Sequence, residues 1–352
     1  MNKNRISLGL TAVLVATSAA SALADTVMGA GSSAAAPIYR SWGHAYEKAT
    51  GNTLAYESVG SSAGIRKIRA HEVGYGASDV APAAAELKKD GLAVFPIAIT
   101  GIAPVVNLPK LGEGQLRLSG EVLARIFMGQ ISQWNAPEIA RLNPGVALPN
   151  LPLKVVVRSD GSGTTYNFTD YLAKVHPDWQ GKFGVSTSIA WPQNFLPAKG
   201  SEGVSKLVRE TVGSIAYIDY AYVKDDRLNP VQLNNLAGDY VSASNDGFRA
   251  ALAASDWVSS GNFTTTLTNK PGRNVWPITM GTFALVPLVT DKPQETLPAL
   301  KFFAWSFLHG DLLVQEHNFV RLPNRVQAAA FKIISSVKDQ AGNQIGMQLT
   351  GF

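Results

Sequence analysis

The run Val155–Phe168, VVVRSDGSGTTYNF, puts an arginine at the end of an apolar, β-branched stretch. Asp160 follows two residues on, then Gly161-Ser162-Gly163-Thr164, then a helix-like pattern. Glycines let a backbone approach a ligand, and the first N–H groups of a helix have no intrahelical partner. The helix dipole adds partial positive charge at that end. Arg158 can offer two parallel donors to a tetrahedral oxyanion. The chemistry this suits is anion binding. Asp160 is spaced to pair with Arg158 and hold its fork in place, although a purely structural ion pair would use the same two residues.

Two more loops share the design. Gly29–Pro37, GAGSSAAAP, and Gly60–Gly64, GSSAG, each follow a strand-like stretch and open a helix-like one. Serine or threonine at a helix start is also ordinary capping. Three such loops in one chain, one of them beside an arginine, point beyond capping. Asp79 closes the stretch GASD. An acid at an anion site makes sense if the anion still carries a proton, because a carboxylate accepts from a P–O–H group but faces bare lone pairs on fully ionised sulfate. The competing role for Asp79 is a helix cap ahead of APAAAEL.

Other chemistries have weaker support. Gly60–Gly64 fits G-x-S-x-G, which would make Ser62 a hydrolase nucleophile. None of the histidines, at 44, 71, 176, 309 and 317, is singled out as its base. Gly29–Ala34 fits G-x-G-x-x-A, with Glu57 as the ribose acid of a dinucleotide site. An exported chain would not meet that cofactor, and none is expected. No H-E-x-x-H, H-x-H or EF-hand pattern is present, so no metal centre is expected. The chain lacks cysteine, which excludes thiolate metal sites, disulfides, a cysteine nucleophile and a cysteine-linked lipid anchor.

The elements that must position these loops alternate. Residues 38–48, 64–73, 119–129 and the stripe Phe168, Leu172, Val175 read as helices. NTLAYESV, SIAYIDYAYV and WPITMGTFALVPLV read as strands. LAVFPIAITGIAPVVNL is a long apolar run broken by Pro96, Gly101 and Pro104, and ALKFFAWSFLHGDLLVQEHNF reads as a mostly buried helix. The alternation argues for an α/β fold with largely parallel, buried sheets. With 352 residues, 46% hydrophobic and 16% charged, the chain suits two globular domains or one large one. Lys3 and Arg5, an apolar stretch from Ile6 to Ala16 and Ala22-Leu23-Ala24 make a secretory leader over residues 1–24. Without Lys3 and Arg5 the net charge drops from +5 to +3, too mild for nucleic-acid binding.

Taken together, these stretches resemble the periplasmic phosphate-binding component of bacterial phosphate ABC importers. The resemblance covers nearly all of the mature chain, through GAGSS, GSSAGI, GASD, IFMGQISQWNAPEIARLNPG, VVVRSDGSGTTYNFTDYL, GSIAYIDYAY and WPIT. It implies a type II periplasmic binding protein: two α/β lobes, a two-strand hinge and a ligand cleft between them. Lobe I would comprise residues 25–101 and 280–352, and lobe II residues 102–279, with the crossings near Ile99–Val105 and Trp276–Thr282. The implied phosphate ligands are Ser33, Ser61, Asp79, Arg158, Ser162, Gly163 and Thr164, with main-chain donors at Ala34, Gly163 and Thr164 and Asp160 in support of the arginine. The implied partners are inorganic phosphate and the permease subunits of the importer. The implied chain is a periplasmic monomer without catalytic activity; a phosphate binder with a sensing or adhesion role is the alternative. One departure stands out. The family usually has Phe-Pro where this chain has Ala34-Ala35, which predicts a wetter cleft and weaker binding unless an aromatic such as Phe195 covers the gap.

Overall fold

The computed structural model describes residues 24–349. The leader, apart from Ala24, and residues 350–352 lie outside the described residues. In chain order, the elements that position the site are β1 (Thr26–Gly31), α1 (Ala36–Thr50), β2 (Thr53–Ser58), α2 (Ser61–Arg69), β3 (Tyr75–Ser78) and β4 (Leu92–Asn107). They continue with β5 (Lys154–Arg158), α3 (Gly163–Val175), β6 (Leu196–Ala198), α4 (Gly200–Glu210), β7 (Ser214–Asp219), β8 (Thr279–Pro287) and α5 (Pro293–His309).

The strands are hydrogen-bonded in the order β2-β1-β3-β8-β4-β7-β5-β6. The outer strands of each half are parallel: β1 pairs with β2 and β3, and β5 pairs with β6 and β7. The centre is antiparallel, with β8 against β3 and β4, and β4 against β7. The expectation of a largely parallel sheet is therefore corrected. A chain that passes between two halves and returns must lay its returning strand against the outgoing one.

β4 is the outgoing strand. It runs unbroken for 16 residues although Pro96, Gly101 and Pro104 read as breaks. Pro96 sits at a bulge, where Phe283 pairs with Pro96 and Thr282 with Ala98, so Ile97 is the extra residue. A Cβ at Gly101 would lie 2.0 Å from the ring of Phe248, so that position needs glycine for packing. Pro104 has no N–H to give, and its carbonyl accepts from Val231 N–H at 2.9 Å. Leu92–Gly101 pairs with β8 and Ile102–Asn107 with β7, so β4 changes partner between Gly101 and Ile102.

Two other sequence expectations change. SIAYIDYAYV is strand only to Asp219; the Asp219 side chain then accepts from Ala221 N–H and starts a short helix, Tyr220–Asp225. The long C-terminal helix stops at His309. At Gly310 a Cβ would meet Trp42 Nε1 at 2.4 Å, and that nitrogen donates to the Gly310 carbonyl at 3.2 Å. Among the described residues no helix is long and apolar enough to cross a membrane.

Each half buries an aromatic cluster under its loops. Tyr39 stacks on Tyr56 at 4.5 Å, and Tyr75 meets Phe303 edge-on at 4.9 Å. In the other half Phe168 stacks on Tyr217 at 4.2 Å, with Phe127 edge-on to Phe168 at 4.7 Å. Such pairs contribute roughly 0.5–1.5 kcal/mol each beyond area burial. They fix α1 and α3, and so hold the loops that open those helices.

Candidate functional site

All three glycine/serine loops end at the same cleft. The first loop leaves β1 and enters α1, the second joins β2 to α2, and the third joins β5 to α3. The first two belong to the half built on β1–β3 and the third to the half built on β5–β7. They meet directly: Ser62 N–H donates to the Gly161 carbonyl at 3.1 Å, and Gly163 N–H donates to Ser61 Oγ at 3.1 Å. A Cβ at Gly163 would lie 2.7 Å from both Asp79 Cβ and Ser61 Oγ, so this approach requires glycine. Gly60 has φ +89°, and a Cβ there would fall 2.4 Å from Asp160 Oδ2.

Arg158 is buried at the end of β5. Its Nε donates to Asp160 Oδ1 at 2.7 Å and its Nη2 to Asp160 Oδ2 at 2.5 Å. Gly200 N–H also donates to Asp160 Oδ1, at 3.0 Å. Burial pushes the Asp160 carboxyl up, but the hydrogen bond and charge of Arg158, with Gly200 N–H, outweigh it and hold Asp160 below its ordinary value. Asp160 is therefore a fixed anion that orients the guanidinium.

Asp79 lies at the end of β3 and is buried. Both its oxygens accept from Ser32 Oγ, at 2.8 and 2.7 Å, and Oδ2 lies 3.5 Å from Ser61 Oγ. The next helix starts at Ala84 without a side-chain cap, so Asp79 caps nothing. Burial raises its pKa against the opposing pull of the Ser32, Thr282 and Ser61 hydroxyls and the Arg158 charge. A cation and an acid thus share one buried site, the arrangement that suits an anion still carrying a proton.

The other expected residues fall into place around this pair. Ser61 Oγ accepts from both Asp79 N–H and Gly163 N–H, and its own proton points to Asp79 Oδ2 at 3.5 Å. Ser162 Oγ accepts from Thr165 N–H at 3.1 Å, so it caps α3 and still has a proton to offer. Thr164 Oγ1 is buried without a hydrogen-bond partner, as is Thr282 Oγ1 beside Asp79. Ser33 Oγ accepts from Ser201 N–H at 3.0 Å and lies 3.0 Å from Ser201 Oγ.

Ala34 and Ala35 are buried, at 1% and 0% exposure. Phe195 does not move in; it packs beside Trp191 with ring centroids 6.3 Å apart. The segment that reaches the first loop is instead Gly200–Tyr222, through Ser201 and through Tyr222 OH, which donates to the Ser33 carbonyl at 3.0 Å.

Ser32, Asn167, Thr282, Ser201 and Tyr222 also belong to the site and were not expected from the sequence. Asn167 Nδ2 donates to the Asp79 carbonyl at 2.8 Å and to the Gly163 carbonyl at 2.9 Å, which ties the two halves together. Its place four residues after Gly163 was a usable signal. Ser201 lies 168 residues from its partner, with no local cue. Ser62, the alternative nucleophile, lies 3.0 Å from Thr187 Oγ1, and among the described residues no histidine is bonded to it. Glu57 pairs with Lys67 at 3.1 Å, away from any ribose role.

The chain matches the model of the PBP superfamily domain over residues 16–269. It is 41% identical to the phosphate-binding protein PstS of Haemophilus influenzae over 91% of this chain and 93% of that one. It is 43% identical to PstS of Pasteurella multocida over 90% and 92%. The chain belongs to the PstS phosphate-binding protein family. The fold agrees: the solved structure of a high-affinity periplasmic phosphate-binding protein, PfluDING, superposes with a TM-score of 0.69 at 21% identity, covering 87% of this chain and 93% of that one. The architecture is the two-lobed α/β fold of type II periplasmic binding proteins, and the site described above lies between its lobes.

Proposed function

We propose that this PstS-family chain binds one inorganic phosphate, as the hydrogen phosphate or dihydrogen phosphate ion, and delivers it in the periplasm to the permease subunits of a phosphate ABC importer. The observation that carries the reading is Asp79, a buried acid held in the same cleft as the buried Arg158. The donors around it are Ser33, Ala34 N–H, Ser61, Ser162, Gly163 N–H and Thr164, with Asp160 in support. The chain acts as a monomer and a carrier: among the described residues Ser62 Oγ has Thr187 Oγ1 as its side-chain partner and no histidine is bonded to it. The partner change of β4 at Gly101/Ile102 supports a lobe I of residues 25–101 and 280–352 and a lobe II of residues 102–279.

Binding then works by displacement. The P–O–H group of the ion donates a hydrogen bond to Asp79, the other oxygens accept from the hydroxyl and N–H donors, and Arg158 supplies the counter-charge. Calorimetry on the mature chain with phosphate and with sulfate tests the reading. One phosphate per chain with weak or absent sulfate binding is the expected result. Two independent sites, or equal affinity for sulfate, would overturn it.

A further inference from the structure

Lobe II grips the first anion loop at Ser33 with groups that include none of the candidate phosphate donors. Tyr222 OH donates to the Ser33 carbonyl at 3.0 Å and also to Glu202 Oε1 at 3.1 Å. Glu202 Oε1 accepts from Arg40 Nη2, in lobe I, at 2.5 Å. Ser58 Oγ, also in lobe I, lies 3.5 Å from Glu202 Oε2. Ser201, beside Glu202 at the start of α4, donates its N–H to Ser33 Oγ. Ser33 is thus held at its carbonyl by Tyr222 and at its side chain by Ser201.

We propose that Tyr222, Glu202 and Arg40 form an inter-lobe latch that stabilises the closed cleft and positions Ser33 to donate to the anion; the proposal rests on the phosphate-binding reading above. Tyr222 is the central member. It is buried, and burial pushes its phenol well above the ordinary value, so it remains a donor at working pH. The Arg40–Glu202 pair is about half exposed and is screened by solvent, so it serves mainly to aim Glu202 at Tyr222. Ser201 N–H donates to Ser33 Oγ and Ser201 Oγ lies 3.0 Å from it, so Ser201 fixes where the Ser33 hydroxyl sits. Contacts between the lobes that exist apart from the anion raise the population of the binding-competent closed state, and apparent affinity rises with that population. They act on release more than on capture and do not discriminate among anions that fit.

The test uses the full mature chain, with Tyr222→Phe and the double variant Arg40→Ala with Glu202→Ala. Phosphate release is followed by stopped flow, phosphate and sulfate affinities by calorimetry, and shape without phosphate by small-angle scattering. Tyr222→Phe keeps the ring and removes the phenol proton shared between the Ser33 carbonyl and Glu202, so release is expected to quicken by roughly tenfold. Affinity should fall by the same factor with the phosphate-to-sulfate ratio unchanged. The phosphate-free variant should have a larger radius of gyration than the native chain. The double variant should move in the same direction by less, and lose that difference at high salt. Unchanged release and unchanged scattering in both variants would overturn the latch, as would a change in the phosphate-to-sulfate ratio. A native chain that binds no phosphate would instead defeat the functional reading, while the scattering comparison would still decide the latch.

Discussion

Asp79 sits in a site that should repel it and is held there by Ser32 and Ser61 against the cost of burial. Asp79→Asn keeps the shape but turns an obligatory acceptor into a group that can also donate. Rejection of sulfate, on the order of 10⁴-fold for a site that demands the missing proton, should then relax. Competition calorimetry checks this, and unchanged selectivity would reduce Asp79 to a structural role. The same logic gives a pH effect. The Asp79 pKa is raised by burial, so as pH falls through it the carboxyl gains a proton and becomes a donor. Sulfate competition should therefore grow toward acid pH. Arg158→Lys should cost about 1–3 kcal/mol of phosphate affinity by calorimetry, because a point charge cannot satisfy Asp160 and the ligand with one planar fork. The Arg158–Asp160 pair was legible in the sequence because both partners leave the same strand two residues apart. Ser32 was not, because its neighbour Ser33 is the residue the resemblance singles out, and only the folded loop shows which hydroxyl faces Asp79.

Among the elements, α3 bears most directly on binding. Its N-terminal turn enters the space between Ser61 and Asp79 at Gly163. Gly163→Ala would place a methyl group 2.7 Å from Asp79 Cβ. That clash lies between the halves, so opening the cleft relieves it. Phosphate affinity should fall by roughly 5- to 150-fold, an overpacking cost of about 1–3 kcal/mol, while the melting temperature without phosphate changes little. Calorimetry with thermal unfolding checks this; a large loss of stability with affinity retained would place the strain inside one lobe. The helices and strands around the site were legible from their periodicity. The antiparallel centre was not, since apolar runs such as β4 and β8, buried along almost their whole length, carry no alternation to mark direction.

At the scale of the molecule, two lobes share β4, and a second buried acid lies where it changes partner. Asp219 pairs with Ile102 in the sheet; its Oδ1 accepts from Ala221 N–H at 3.0 Å and its Oδ2 from Thr100 Oγ1 at 3.1 Å. Burial raises its pKa well above the ordinary 3.8; Ala221 N–H and Thr100 oppose this, and the charge of Asp79 adds to it. Between the ordinary and the raised value the native chain binds more protons than the unfolded one. The contribution of Asp219 to stability is therefore greatest at low pH and is lost as pH rises through that window. Asp219→Asn should raise the melting temperature at neutral pH and flatten its pH dependence. Calorimetric unfolding across pH 4–8 checks this, and an unaltered slope would assign the pH dependence to other groups.

What this sequence determined by itself is local. Glycines and hydroxyls at three strand-to-helix turns, an arginine two residues from its acid, and a cap at Ser162 all act within a few residues, so spacing alone shows them. Those features were enough for an anion site and, with the order of the stretches, for the family. Tertiary structure decided what joins the loops. Ser32 reaches Asp79 across 47 residues, Asn167 reaches its carbonyl across 88, and Tyr222 reaches Ser33 across 189. It also decided that Ser201 and Tyr222, from the other lobe, would hold the first loop at Ser33. Such contacts depend on how the two lobes meet across β4. No periodicity or turn chemistry in the chain encodes that meeting.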